Sequence, residues 1–178
     1  LPAAMKKAEE LGYPPYLLTK RTFVDAFAAG QLIARIAVNI DMDGQPFQAP
    51  CALLMTGELT VAVEGGKGIG GRNQEFALSA AKVIKDNPNI VIAAVDTDGT
   101  DGPGGNFNST AWLKGCKNLA GGITDGYTMQ EACERHIDFE QAFREHNTSD
   151  ILWKLDSGIW AVQNISIQDL IVVLIMKK

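Results

Sequence analysis

Two glycine-rich, charged stretches hold the residue types that do chemistry. The first runs Gly65-Gly66-Lys67-Gly68-Ile69-Gly70-Gly71-Arg72-Asn73-Gln74-Glu75. Glycines allow positive φ and close approach to the backbone. The residues that follow have helical periodicity, so free N–H groups and the positive end of a helix dipole would face this loop. Arg72 adds a planar fork suited to phosphate or carboxylate. The same string is also compatible with a plain hairpin loop and a solvated, exposed arginine, and its residue types leave both readings open. It ends in neither Gly-Lys-Ser/Thr nor the dinucleotide spacing of glycines.

The second stretch is Asp96-Thr97-Asp98-Gly99-Thr100-Asp101-Gly102-Pro103-Gly104-Gly105. It follows an apolar β-branched run, where ligands of open α/β sheets sit. Asp98 and Asp101 are candidate Mg2+ ligands, because that ion needs one or two carboxylates completed by water and substrate phosphates. One Asp could instead orient a hydroxyl or take its proton. The alternative is a cluster of Asx turns, with aspartates bonding their own backbone. Glu58, in a bend after another apolar run, is a third candidate acid.

The elements that must carry these loops follow from periodicity. Pro2 and the spacing of Ala4, Met5, Ala8 and Leu11 predict a first helix over 2–11, and residues 16–18 a short strand. Phe23, Phe27, Leu32, Ile36 and Ile40 predict a helix over 22–40. Residues 51–55 and 59–63 read as two strands joined at Gly57-Glu58. Phe76, Ala77, Ala80, Ala81 and Ile84 place a helical face over 72–85. Residues 90–95 read as a buried central strand and 171–175 as a final one, with 127–145 helical in two pieces. Strand–helix alternation with short links gives an α/β fold, layered, with a mixed or mostly parallel sheet and flanking helices.

Composition narrows the partners. The chain has 178 residues, 46% hydrophobic and 21% charged, with net charge −5. That is enough for a full core without disulfides. No basic stripe is present, which argues against nucleic acid. Cys51, Cys116 and Cys133 form no framework, and Cys133 with His136 supplies too few ligands for structural zinc. No secretory leader pattern is visible, and the longest apolar run, Leu170 to Met176, is far short of the roughly 20 residues of a membrane helix. These features point to a cytoplasmic protein without a membrane partner. They leave an oligomer open.

Taken in order, Thr56-Gly57-Glu58-Leu59-Thr60-Val61, Gly70-Gly71-Arg72-Asn73-Gln74-Glu75, Thr97-Asp98-Gly99-Thr100-Asp101-Gly102-Pro103 and Gly121-Gly122-Ile123-Thr124-Asp125-Gly126 resemble the C-terminal MOFRL domain of glycerate 2-kinases. Members of that family also carry the name hydroxypyruvate reductase. The resemblance covers residues 51–178 and makes 1–50 the end of a preceding domain. It implies a two-domain enzyme with its site in the cleft, moving the γ-phosphoryl group of ATP to a hydroxyl of D-glycerate with Mg2+. It implies that Arg72 clamps substrate or phosphate, with Asp98, Asp101 and Glu58 beside it. Gly68, Gly70, Gly71, Asn73, Thr97 and Gly99 would lie against the nucleotide.

Three departures accompany the resemblance. The larger N-terminal domain, with its lysine, is almost wholly outside this chain, so the chain alone is expected to have no kinase activity. An extra stretch runs from about Gly105 to Leu119. The late loop over 161–169 lacks the family's glycines, and so has fewer ways to wrap a phosphate. The other readings are an NAD(P)H-dependent hydroxypyruvate reductase and a non-catalytic ligand-binding domain. Neither glycine loop has the spacing that NADH requires.

Overall fold

The computed structural model describes residues 1–65, 68–103, 119–161 and 165–176. The expected insertion after Gly105 and the middle of the late loop lie outside them. In chain order the elements are α1 (Pro2–Glu10), β1 (Pro15–Thr19), α2 (Ala26–Asp43), β2 (Cys51–Gly57), α3 (Arg72–Ile84) and β3 (Ile90–Asp96). They continue with β4 (Gly121–Asp125), α4 (Thr128–Glu134), α5 (Phe139–Glu145), α6 (Thr148–Lys154), β5 (Gly158–Ile159) and β6 (Asp169–Ile175).

The strands form one sheet in the order β1-β2-β6-β3-β4-β5. It is mixed. Among the described residues only β1 and β2 run parallel as neighbours, and β6 returns antiparallel between β2 and β3. This final strand therefore makes β2 and β3 point the same way without touching. Their carboxyl ends, Gly57 and Asp96, both lie opposite Asp169 at the start of β6. Three strand termini thus meet at one edge of the sheet.

Alternation along the strands explains the layers. Leu53, Met55, Ile92, Ala94, Ile171 and Val173 face a core shared with α2 and α3. Ala52 and Leu54 face α1 on the other side, beside Val172 and Leu174. A third cluster packs Leu78 and Ala81 of α3 against α4, α5 and α6. Helix α3 is therefore buried from Asn73 to Ala81. The strand closed on both faces is β2, whereas β3, the expected central strand, alternates buried with half-buried positions.

Two other expectations change. Residues 59–63 are not a strand, because both edges of β2 are already taken, by β1 and β6. Of that segment only Thr60 makes a sheet-type contact, an isolated parallel bridge to Asp25. Helix α2 starts at Ala26, four residues later than its apolar periodicity suggests. There the Asp25 carboxylate caps it by accepting the Ala28 N–H at 2.9 Å. Helix α6 was not read from the sequence at all. No helix among the described residues is long and apolar enough to cross a membrane.

The close fit of α2 on α3 depends on Gly30. A Cβ there would collide with Ser79 Oγ and the carbonyl oxygen of Phe76. The second of these is backbone and cannot swing away. Gly30→Ala is expected to lower stability by about 2 kcal/mol, measured as a shift in the urea midpoint. An unchanged midpoint would show that the two helices can separate freely.

Candidate functional site

The edge where β2, β3 and β6 end is also where α3 begins, so Arg72, its first residue, enters a ring of carboxylates. Arg72 Nη2 lies 2.6 Å from Asp96 Oδ2, 3.1 Å from Asp169 Oδ1 and 3.8 Å from Glu58 Oε1. Its Nε donates to Asp169 at 3.1–3.2 Å. Asp169 thus faces the Nε–Nη2 edge side-on, hydrogen-bonded through Nε and ion-paired with Nη2. Among the described residues, Nη1 has no hydrogen bond or ion pair. The side chain is only 24% exposed, so Arg72 is not the solvated arginine expected from a loop edge. Burial disfavours its charge, but the Asp169 hydrogen bond and the charges of Asp169, Asp96 and Asp101 outweigh this and raise its pKa.

The N-terminus of α3 is occupied from within the chain. Asp101, 1% exposed, accepts from the Asn73 backbone N–H at 3.2 Å, the Gln74 backbone N–H at 2.9 Å and Asn73 Nδ2 at 3.2 Å. Its carboxylate fills the place where a phosphate was expected. Burial pushes its pKa up to about 7, against the pull of those N–H groups and Arg72. Asp96 is raised as well, by burial, despite the Asp98 N–H and Arg72.

The glycines serve this internal packing. A Cβ on Gly71 would strike the Asp101 carboxylate, and one on Gly102 the Gly70 carbonyl. Gly68 and Gly70 are pressed against residues 145–148, where Gly68 N–H donates to the Glu145 carbonyl and Ser149 N–H to that of Ile69. The room these glycines leave is filled by the chain's own atoms. Beneath them Glu75 Oε2 pairs with His146 Nδ1 at 3.1 Å. Burial raises the Glu75 pKa, partly offset by His146. No sequence feature pointed to that pair.

The remaining candidates sit at the mouth. Asp98 is half-buried, and its Oδ1 accepts the Thr100 N–H at 2.8 Å in an Asx turn. Asp96 forms a second such turn with the Asp98 N–H. Gly99 has φ +87°, which lets the loop turn after Asp98. Thr97 Oγ1 donates to the Gln168 carbonyl at 2.7 Å and accepts from Ile167 N–H at 2.9 Å, clipping the late loop to β3. Glu58 stands exposed at the rim.

For a magnesium ion the two expected ligands differ. Asp101 spends its oxygens on amide donors and does not fit. Asp98 keeps Oδ2 without a partner among the described residues and fits a site completed by substrate oxygens and water. No group of three or more His, Cys, Asp or Glu side chains among the described residues is arranged to hold a metal. The residue missed most completely is Asp169, which read as part of the late loop. Its only signal was an acid directly ahead of an apolar β run.

The model of the MOFRL family matches residues 51–164. A glycerate 2-kinase of Pyrococcus horikoshii is 39% identical over 153 residues, covering 86% of this chain and 32% of its own length. A D-glycerate 2-kinase of Thermotoga maritima is 34% identical over 176 residues, covering 97% and 38%. The crystal structure of a glycerate kinase from Thermotoga maritima superposes with a TM-score of 0.87 at 32% identity, covering 97% of this chain and 39% of that one. The chain spans about a third of the length of the curated relatives it matches.

Proposed function

The chain belongs to the MOFRL family, and from that premise we propose that it forms one wall of a glycerate 2-kinase active site. The reaction is transfer of the γ-phosphoryl group of ATP to a hydroxyl of D-glycerate. One observation carries the reading. At the carboxyl ends of β2 and β3, a guanidinium is held at Nε by Asp169 and at Nη2 by Asp96, while Nη1 has no hydrogen bond or ion pair among the described residues. Phosphoryl transfer is catalysed mostly by positioning and charge neutralisation, and a fixed guanidinium suits both.

In this reading Arg72 Nη1 holds the carboxylate of glycerate or a phosphate oxygen. Asp98 would hold the magnesium ion, which when bound neutralises charge on the transferred group. Glu58 and Asp96 keep the opposite side of the guanidinium satisfied. Asp101 acts as the internal cap of α3, keeping Asn73 and Gln74 in place. Residues 1–50 we assign to the end of a preceding domain, although β1 and α2 from that stretch are built into the same sheet and core. The other wall, and turnover itself, would come from the part of the longer relatives that this chain does not cover.

No feature of the site favours the reductase. Neither glycine loop has dinucleotide spacing, and Gly70 and Gly71 are packed against the chain itself. The test is a titration of the 178-residue chain, followed by NMR, with D-glycerate, ATP with Mg2+, and NADH. Glycerate is expected to shift the Arg72 side-chain and Asp98 amide resonances, and NADH to leave the spectrum unchanged. Saturable NADH binding at micromolar concentration, with no response to glycerate, would sink the kinase reading.

A further inference from the structure

Asp169 is 0% exposed at the first position of β6. Three donors converge on its carboxylate. Leu59 N–H and Asn73 Nδ2 each approach to 2.8 Å, and Arg72 Nε donates to both oxygens at 3.1–3.2 Å, with Arg72 Nη2 adding an ion pair at 3.1 Å. Nothing in the strand requires an acid there, since pairing with Gly57 and Asp96 uses only the backbone. Burying a charge is costly unless it is paired and hydrogen-bonded, and an apolar residue of similar size often serves stability as well.

What the carboxylate does, and an apolar side chain does not, is fix the plane of a guanidinium. The guanidinium is rigid and planar, so holding Nε and Nη2 side-on sets the direction of Nη1. Asp96 touches only Nη2, at 2.6 Å, and alone would leave the plane free to turn. We infer that Asp169 is a positioning residue, holding Arg72 side-on so that Nη1 is presented in one direction to a ligand oxyanion. The inference rests on the reading of Arg72 given above. A donor already fixed saves the entropy of ordering a long side chain when the ligand binds.

The test uses the 178-residue chain and the Arg72 Nε–Hε resonance, assigned by its loss in Arg72→Lys. In the wild type its heteronuclear NOE is expected to match rigid backbone, unlike that of exposed Arg21. In Asp169→Asn it should fall to the Arg21 level while the backbone spectrum is preserved, and D-glycerate should bind about tenfold more weakly. Retained order, or an unchanged glycerate affinity, overturns the inference. Asp96→Asn decides the matter even if Asp169→Asn does not fold. With the side-on pair intact, Nε must stay as ordered as in the wild type, and loss of order there would move the role to Asp96. If the wild type responds neither to D-glycerate nor to inorganic phosphate, the kinase reading fails, and the NOE comparison still judges Asp169 separately.

Discussion

Replacing Arg72 with alanine is expected to damage stability and ligand binding together. The guanidinium is the cation beside two buried carboxylates, Asp96 at 3% exposure and Asp169 at 0%. Removing one partner of a buried ion pair leaves an uncompensated charge and typically costs about 3–5 kcal/mol. A quarter of the Arg72 side chain reaches solvent, which argues for the lower end, roughly 3 kcal/mol. Arg72→Lys separates the two roles. An ammonium restores a positive charge near Asp96 and should recover a large part of the stability. It cannot hold Asp169 and Asp96 through two separate nitrogens and still present a third. Glycerate affinity should therefore fall nearly as far with lysine as with alanine. In a chain long enough to turn over, both should lose on the order of a hundredfold in rate, the scale for one preorganised donor. Urea denaturation and glycerate titration of the two variants check this. An alanine variant that unfolds at the wild-type urea concentration would remove Arg72 from the ion cluster. A lysine variant with normal affinity would remove it from the ligand.

The parts of this fold legible in the sequence are those whose signal is local. Phe76, Ala77, Ala80, Ala81 and Ile84 repeat at helical spacing, and α3 runs from Arg72 to Ile84. The apolar run from Ile90 is β3. Both chemically rich loops were visible for the same reason, since glycine and aspartate mark turns at strand ends. What stayed hidden is set by register. Asp169 meets Arg72 across 97 positions because β6 inserts between β2 and β3 with its first residue opposite both strand ends. No spacing rule within the sequence encodes that insertion. The occupant of the α3 N-terminus was hidden likewise. The free N–H groups expected there do point into the glycine loop, but Asp101, 28 positions after Asn73, has claimed them. The break after Gly57 was misread because residues 59–63 alternate like a strand. Alternation marks half-burial, not pairing, and β2 had no free edge to offer.

Asp101 makes the stability of this chain fall as the pH rises from 5 to 8. In the unfolded chain its carboxyl titrates near 3.8, and in the folded protein burial raises it to about 7. Between those values the folded state holds a proton that the unfolded state has released. Raising the pH therefore favours unfolding, with slope set by that difference in bound protons. The stabilising contribution is complete below about pH 4 and is lost as the pH passes through 7. Burial also raises Glu75 and Asp96, so their contributions have the same sign. Over pH 5 to 8, Asp101 alone should account for roughly 3 kcal/mol, from about two units of differential titration at about 1.4 kcal/mol each. Asp101→Asn isolates it. The amide is nearly isosteric and keeps an oxygen for one of the two backbone N–H groups, Asn73 and Gln74, that the two carboxylate oxygens accept, but it does not titrate. The variant should be less stable than the wild type at pH 5, where its NH2 faces amide donors. That gap should close, or reverse, by pH 8, as the wild type comes to hold a charged carboxylate in a buried site. Urea unfolding of both proteins at pH 5, 6, 7 and 8 measures this directly. Parallel curves for the two would mean that Asp101 is ionised throughout the range, its charge balanced by the helix N–H groups and Arg72.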